Sequence, residues 1–160
     1  MSTPTARSTS TQHEVVVEAS IERAFTVFTE GFGRFKPREH TLLEAEIAET
    51  VFETHVGGNI YDVGVDGSEC RWARILAYEP PHRVLFSWDI SAQWEVETDH
   101  DRTSEVEVTF TAETPERTRV ELEHRNLDRH GDGWEGIPAS IGGEQGWPLY
   151  LATYTQLVRA

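Results

Sequence analysis

The sequence has very little cysteine: among its 160 residues, Cys70 is the only one. A single thiol excludes a disulfide within the chain and is compatible with a reducing compartment, so we expect a cytoplasmic protein. We also find no apolar core of a secretory signal near the N-terminus and no apolar run approaching the roughly 18 residues that span a bilayer. These features argue against a secreted or membrane-embedded protein.

Positive charge is scarce as well. Lysine and arginine together number 14 against 28 for aspartate and glutamate, which gives a formal net charge of −14. An acidic surface repels phosphate backbones and anionic lipid headgroups, so we expect neither nucleic-acid nor membrane binding. The length of 160 residues suffices for one substantial core but not for two, which predicts a single domain.

Motifs that hold cofactors or metals are missing from the sequence. Gly57-Gly58 lacks the Lys-Ser/Thr of a nucleotide-binding loop, and it joins two predicted strands instead of opening a helix. His124, Asp128 and His130 are close in sequence but match no zinc-ligand spacing. We therefore expect neither a cofactor nor a metal.

What the sequence does contain begins with a polar N-terminal segment. Residues 1–12 are rich in serine and threonine and are predicted to be a disordered tail, followed by one domain over residues 13–160. The β-branched run Val15-Val16-Val17 indicates a first strand. Ser20 can cap a following helix, whose apolar side chains recur at helical spacing as Ile21, Ala24, Phe25 and Phe28.

The middle of the chain alternates between strands and turns. Gly57-Gly58, Asp66-Gly67 and Pro80-Pro81 are typical of turns between antiparallel strands. They separate four predicted strands, near residues 44–55, 59–65, 70–78 and 83–90. After a loop over 91–104, apolar and polar residues alternate again, which predicts two further strands around residues 106–110 and 118–124.

The C-terminal segment has the period of a helix. Trp147, Leu151, Tyr154 and Val158 recur at helical spacing over residues 145–159. A curved antiparallel sheet has one face to bury, and an amphipathic helix is the natural cover. The sequence therefore predicts an α+β fold in which the sheet wraps around a long C-terminal helix.

The order of these motifs resembles one family over roughly residues 14–158. The residues that carry the resemblance are Ser20 with Phe25 and Phe28, Gly57-Gly58, Trp72-Ala73-Arg74, Pro80-Pro81 with Arg83, Ser87-Trp88, Val106-Glu107-Val108, Thr118 through His124, and Gly146-Trp147. The family is that of the small helix-grip domains related to the activator of the ninety-kilodalton heat-shock protein's ATPase. It belongs to the START/SRPBCC superfamily, which also holds Bet v allergens and polyketide cyclases. The resemblance implies a helix-grip fold with a cavity for an apolar molecule between the sheet and the C-terminal helix.

The chain has five tryptophans, four tyrosines and seven phenylalanines, and aromatic residues with a few polar groups commonly line small-molecule pockets. The predicted function is accordingly the binding of a small hydrophobic molecule. Tyr61 and His124 are expected to orient a carbonyl or hydroxyl of this ligand. The residues expected to line the cavity are Phe28, Phe32, Tyr61, Trp72, Trp88, His124, Trp134, Trp147 and Tyr150.

An enzyme is the first alternative. In a cofactor-independent cyclase or hydrolase, His55 or His124 would act as acid or base, and Tyr61 or Arg71 would polarise a carbonyl. This alternative predicts an inward hydrogen bond between a carboxylate and a histidine. The remaining histidines are expected in solvent: His13, His40, His82, His100 and His130.

A protein-interaction module is the second alternative. It would use the outer face of the sheet or the acidic loop at 95–105 to bind a basic partner such as a chaperone. A filled interior and a large exposed patch are expected in that case. The sequence is compatible with either a monomer or a homodimer.

Overall fold

The computed structural model describes residues 9–37 and 39–159. Residues 1–8 of the predicted tail lie outside the described residues. The predicted boundary between tail and domain is wrong at residues 11 and 12. Thr11 and Gln12 are the first residues of a strand and pair with His124 and Glu123.

Seven strands and four α-helices make up the described fold. Three short 3-10 turns cover His100–Arg102, Leu127–His130 and Trp134–Gly136. In chain order the strands and helices are β1 (Thr11–Val17), α1 (Ile21–Glu30), α2 (Phe32–Phe35), β2 (Ile47–Phe52), β3 (Asn59–Gly64), β4 (Glu69–Glu79), β5 (Arg83–Trp88), β6 (Ser104–Thr114), β7 (Arg117–Arg125), α3 (Ile137–Ile141) and α4 (Trp147–Arg159).

All strand pairs are antiparallel, in the order β1-β7-β6-β5-β4-β3-β2. Bulges bend a strand and increase its twist. Four register shifts of this kind occur in the sheet, at Ile47/Glu49, Ile60/Tyr61, Ile75/Ala77 and Ala112/Thr114. The sheet curls into a half-barrel around α4, which confirms the predicted helix-grip fold.

The sequence signals at both principal helices are realised. The Ser20 hydroxyl accepts a hydrogen bond from the backbone N–H of Arg23 at 3.2 Å and caps α1. In α4 the buried side chains are those of the predicted period, Trp147, Leu151, Tyr154 and Val158. The Tyr154 hydroxyl also donates to the carbonyl of Ala24 over 2.6 Å and so joins α4 to α1.

Some predicted boundaries are wrong. The strand predicted at 44–55 forms only over Ile47–Phe52, because the chain turns at residues 53–58. The stretch after α1 contains the short helix α2, which was not predicted from the sequence and whose phenylalanines Phe32 and Phe35 are buried. A 3-10 turn at Trp134–Gly136 and the short helix α3 precede the final helix.

Candidate functional site

A cavity of about 440 Å³ lies between the sheet, the segment that follows α2, and the start of α4. This volume falls in the range of small-molecule sites. Five large aromatic side chains belong to its wall: Trp72, Trp88, Trp94, Trp147 and Tyr150.

Aromatic rings in the wall meet one another edge to face. The ring centroids of Trp88 and Trp94 are 6.1 Å apart, and those of Trp147 and Tyr150 are 5.2 Å apart. Trp94 is 48% exposed, and its backbone has a positive φ of 61°, which residues other than glycine rarely adopt. The wall thus offers flat apolar surfaces, one of which is open to solvent.

One end of the cavity is charged. The ammonium group of Lys36 lies 3.4 Å from Oδ2 of Asp62, and their side chains are only 5% and 2% exposed. Asp62 lies on the inner face of β3, where Ile60 and Gly64 are also buried. Burial lowers the pKa of Lys36, whereas the neighbouring carboxylate opposes that shift.

Further hydrogen bonds hold this ion pair in place. Oδ1 of Asp62 accepts from the Thr50 hydroxyl at 2.7 Å and from the Trp72 indole at 3.4 Å. The ammonium group of Lys36 also donates to the carbonyl of His40. A buried charge is retained only when such partners compensate its lost hydration, and here both charges have them.

A second polar pair lies at the same end. Nδ1 of His40 is 2.9 Å from the hydroxyl of Tyr150. Burial raises the pKa of the Tyr150 hydroxyl and lowers the pKa of the His40 imidazole, so both groups favour their neutral forms near pH 7. The cavity therefore combines an apolar wall with one charged pair and one neutral pair.

Behind the wall runs a buried chain of polar groups. The Trp147 indole donates to Nδ1 of His124 at 3.1 Å, and the Ser104 hydroxyl is 2.7 Å from Nε2 of both His124 and His130. An indole N–H can only donate, so Nδ1 of His124 must accept and its proton must lie on Nε2. Nε2–H then donates to Ser104, whose hydroxyl donates to His130.

This direction fixes the protonation of both histidines. His124 is neutral, and burial lowers its pKa well below the usual range, with His130 and His13 adding to the shift. Because Nε2 of His130 accepts, its proton lies on Nδ1, a buried atom without a hydrogen-bond partner among the described residues.

The predicted lining residues divide into two groups. Trp72, Trp88, Trp147 and Tyr150 line the cavity, and ligand contact by these four stays a prediction. His124 is completely buried as expected, but it lies behind Trp147 and Trp88 and does not line the cavity.

The other four predicted lining residues lie elsewhere. Phe28 and Phe32 are fully buried in the phenylalanine cluster of the core. Tyr61 points to the opposite face of β3, where the guanidinium of Arg71 lies 4.5 Å from its ring. Trp134 packs on the core from its 3-10 turn and is not part of the cavity lining.

The predicted catalytic set is not assembled. His55 is exposed in the turn after β2, and Arg71 is exposed and pairs with Glu69. His124 bonds to an indole and a hydroxyl, and no carboxylate is among its hydrogen-bond partners in the described structure. These positions correct the expectation that His55 or His124, with Tyr61 or Arg71, forms an acid/base site.

The polar end was not predicted. Lys36 and His40 come from the segment between α2 and β2, which has no periodic pattern, and His40 was expected in solvent. The buried position of His130, which is 1% exposed, is a second correction. One signal was available for Asp62, since an acidic residue between apolar neighbours in a strand is unusual.

Two further features of residues 9–37 and 39–159 bear on the site. No helix in these ranges is both long enough and apolar enough to cross a bilayer. No group of three or more histidine, cysteine, aspartate or glutamate side chains in these ranges is arranged to hold a metal ion.

The sequence model of the Activator of Hsp90 ATPase homolog 1-like proteins matches residues 18–159. The chain belongs to this family. The resemblance inferred from the motifs is thereby confirmed. No curated protein matches the chain.

Several solved structures are similar to this family member. It is 40% identical to the anthrahydroquino-Gama-pyrone synthase Txn09, solved in a complex with SUM, over 92% of this chain and 96% of that one, with a TM-score of 0.66. The resistance protein CalC from Micromonospora echinospora, described as self-sacrificing, is 26% identical over 96% of both chains, with a TM-score of 0.68. Protein NE0264 from Nitrosomonas europaea is 11% identical over 98% of both chains, with a TM-score of 0.64, and shows the shared fold alone.

Proposed function

We propose that the protein binds a planar aromatic molecule of the polyketide type in the cavity beside α4. The observation that carries this proposal is the combination of aromatic walls with a buried polar end in a volume of about 440 Å³. The fold is one that suggests small-molecule binding, and the similarity to a synthase of a fused aromatic pyrone supports the aromatic class.

The lining suits a flat ring system. Trp88, Trp94 and Trp147 present ring faces and edges, and each aromatic contact contributes about 0.5–1.5 kcal/mol beyond the apolar area that it buries. The polar groups of Lys36 and Tyr150 lie at one end, so an oxygen on one edge of the ligand has hydrogen-bond partners there. A ligand with one oxygenated edge and one apolar edge fits this division.

The protein-interaction alternative is less well supported. It needs a filled interior and a large exposed apolar patch, but the chain has a cavity of about 440 Å³. Over the described residues, the exposed large apolar side chains are scattered between β1, two different turns and the loop after β5: Val16, Val56, Val65, Trp94 and Val96.

Ligand binding is tested with anthraquinone and 2-hydroxyanthraquinone, using palmitate and cholesterol as apolar probes without aromatic rings. A ligand at a hundred times its dissociation constant stabilises the protein by about 2.7 kcal/mol, and each kcal/mol raises the melting temperature by roughly 2–4 °C. We expect the anthraquinones to raise it by several degrees and to quench tryptophan fluorescence, and palmitate and cholesterol to do neither.

A matched pair of variants locates the binding. Trp88→Ala removes part of the wall and should abolish both signals, whereas Trp134→Ala removes a tryptophan outside the lining and should keep them. Circular dichroism checks that both variants are folded. No shift with any anthraquinone, or an equal loss in both folded variants, would refute the proposal.

A second candidate function is ring closure in such a molecule, for which the 40% identity to a synthase is the specific observation. Closing a pyrone requires removal of a proton from the attacking hydroxyl and donation to the carbonyl oxygen. Lys36 and Tyr150 can donate, and His40, whose pKa is lowered by burial, can accept a proton once its bond to Tyr150 rearranges.

The probe for this chemistry is 1-(2-hydroxyphenyl)butane-1,3-dione. Its phenol oxygen bonds to the distal ketone carbon and loses its proton, and the methylene carbon between the two carbonyls loses a second proton as the ring double bond forms. The ketone oxygen leaves with these two protons as water, which gives 2-methylchromone. We expect faster chromone formation with the protein than in buffer, followed by chromatography, and a slower rate with Tyr150→Phe. A rate equal to that of buffer would exclude this activity for the probe.

A further inference from the structure

We propose that Lys36 anchors an ionised oxygen of the ligand, so that the cavity selects aromatic molecules that carry an acidic hydroxyl, a phenol or an enol. This inference rests on the proposed function, because it names the chemistry of the ligand within the same cavity. It deepens that function by assigning the charged end of the cavity to one group of the ligand.

The first argument is the number of donors on Lys36. A lysine ammonium group has three N–H donors and no acceptor. One is directed to the carbonyl of His40 and one to Oδ2 of Asp62. The third has no acceptor among the described residues, although the side chain is only 5% exposed and lines the cavity. A ligand oxygen would complete its coordination.

The second argument is that the carboxylate of Asp62 already has three hydrogen-bond donors. It accepts from Thr50, Trp72 and Lys36, so its charge is shared over three donors. Asp62 holds Lys36 in the charged form and leaves the third N–H donor of the ammonium group unused. Glu39 also belongs to the lining but is exposed, so solvent screens its charge.

The third argument concerns the other titratable groups at the same end. His40 and Tyr150 favour their neutral forms, so among the described residues that line the cavity Lys36 is the one cationic side chain. An opposite charge within about 4–6 Å lowers the pKa of an acidic group by about one to three units, and low polarity strengthens the effect. Asp62 and Glu39 act in the opposite direction, as they do on the Tyr150 hydroxyl, whose pKa is raised by burial and by these two acids. A hydroxyl in direct contact with the free donor of Lys36 is nevertheless expected to be held as its anion.

The net charge of the chain favours the entry of a neutral ligand. At −14, the protein repels an anion that approaches from solution. A phenol or enol enters uncharged, loses its proton to the solvent as it reaches Lys36, and remains as the oxyanion beside the ammonium group. A ligand with a permanent carboxylate lacks this neutral form near pH 7.

The test uses 2-hydroxyanthraquinone, whose phenolate absorbs at longer wavelength than the phenol, and anthraquinone as the probe without a hydroxyl. Absorbance is titrated from pH 5 to 10 at saturating protein. We expect the pKa of the bound phenol to lie below that of the free probe, and calorimetry in two buffers to detect proton release for 2-hydroxyanthraquinone but not for anthraquinone.

Three variants assign the effect. Lys36→Met, and Lys36→Met combined with Asp62→Leu, should each raise the pKa of the bound phenol by about one to three units relative to the wild type. Arg71→Met removes an exposed cation outside the cavity and should leave the wild-type value. The double variant leaves no unpaired buried charge, so it also decides the question if Lys36→Met does not fold.

The possible failures are distinguishable. If neither probe binds the wild type, the proposed function fails and this inference falls with it. If both probes bind but the wild type takes up protons, or the bound pKa is the same in wild type and folded Lys36 variants, the inference alone is overturned. If anthraquinone-2-carboxylate binds more tightly than 2-hydroxyanthraquinone, the cavity selects a permanent anion and the assignment to an acidic hydroxyl is wrong.

Discussion

The indole N–H of Trp147 donates to Nδ1 of His124 over 3.1 Å, which couples the cavity wall to a polar chain behind it. Trp147 is the first residue of α4, so the same bond also fixes where this helix begins against the sheet. His124 has no second acceptor to offer, because its other nitrogen donates to Ser104. The orientation of one wall residue thus depends on the tautomer of a residue that does not line the cavity.

Trp147→Phe tests this coupling. The substitution removes the indole donor and leaves Nδ1 of His124 as a buried acceptor without a partner. We expect the free energy of unfolding to fall by about 1–3 kcal/mol from the unpaired acceptor, and further if a void remains. The control is Trp94→Phe at the exposed mouth of the cavity, which should change stability by less than about 0.5 kcal/mol in urea denaturation. Equal effects of the two changes would contradict the importance of this bond.

Stability should fall as the pH is lowered. His124 and His130 are 0% and 1% exposed, and burial lowers the pKa of both below the unfolded value of 6.5. The unfolded chain therefore binds more protons below pH 6.5, and this contribution to stability is full above that pH. Below pH 6.5, each histidine lowers the free energy of unfolding by up to about 1.4 kcal/mol per pH unit, until the pH reaches the pKa of that histidine in the folded protein. Urea denaturation between pH 5 and 8 measures the slope.

Glutamine variants assign this slope. His124→Gln keeps a polar side chain that does not titrate. It should therefore reduce the slope of the free energy of unfolding against pH by about the contribution of one histidine. His100→Gln changes an exposed histidine and should leave the dependence unchanged. Other ionisable groups face this pair: His13 lies beside His124, and the acids Glu97 and Asp89 lie near His130. A slope unchanged in folded His124→Gln would contradict the assignment of this pH dependence to His124.

Local patterns predicted the fold, and the candidate site shows their limit. The helical period of α4 identified its four buried residues, and strand alternation placed His124 inward. The same alternation could not choose a face for β3, because Ile60 and Tyr61 are both apolar and a bulge lies between them. Tyr61 was therefore predicted inward, and the buried position of Asp62 was missed.

Local sequence patterns could not predict the charged end of the cavity for a different reason. Lys36 and His40 lie in a segment without period, so nothing in their neighbourhood specifies what they face. Their environment is set by contacts with β3 and α4, more than 20 and 100 residues away in sequence. Contacts of this kind arise from the tertiary fold, which a reading of local period does not include.

Gly146 should be irreplaceable even by alanine. A Cβ atom at this position would lie 2.0 Å from the carbonyl oxygen of Ile141, which is a backbone atom and cannot move aside as a side chain would. We expect Gly146→Ala to lower the free energy of unfolding by more than about 2 kcal/mol, since the start of α4 must shift. Gly136→Ala is the matched control, because a Cβ there meets nothing within 4 Å. It should be neutral or stabilise by up to about 1 kcal/mol, and similar losses for both variants would contradict the steric argument.

Removing one partner of the Lys36–Asp62 ion pair should lower the free energy of unfolding more than removing both partners. Lys36→Met leaves a buried carboxylate without its counter-ion, and we expect a loss of about 3 kcal/mol in the free energy of unfolding. Lys36→Met combined with Asp62→Leu removes both charges and keeps apolar volume, so most of that loss should be recovered. A double-mutant cycle by urea denaturation at pH 7.5 measures the coupling. If the double variant were less stable than Lys36→Met alone, the carboxylate would be held chiefly by Thr50 and Trp72, and Lys36 would be free to serve the cavity without a structural role.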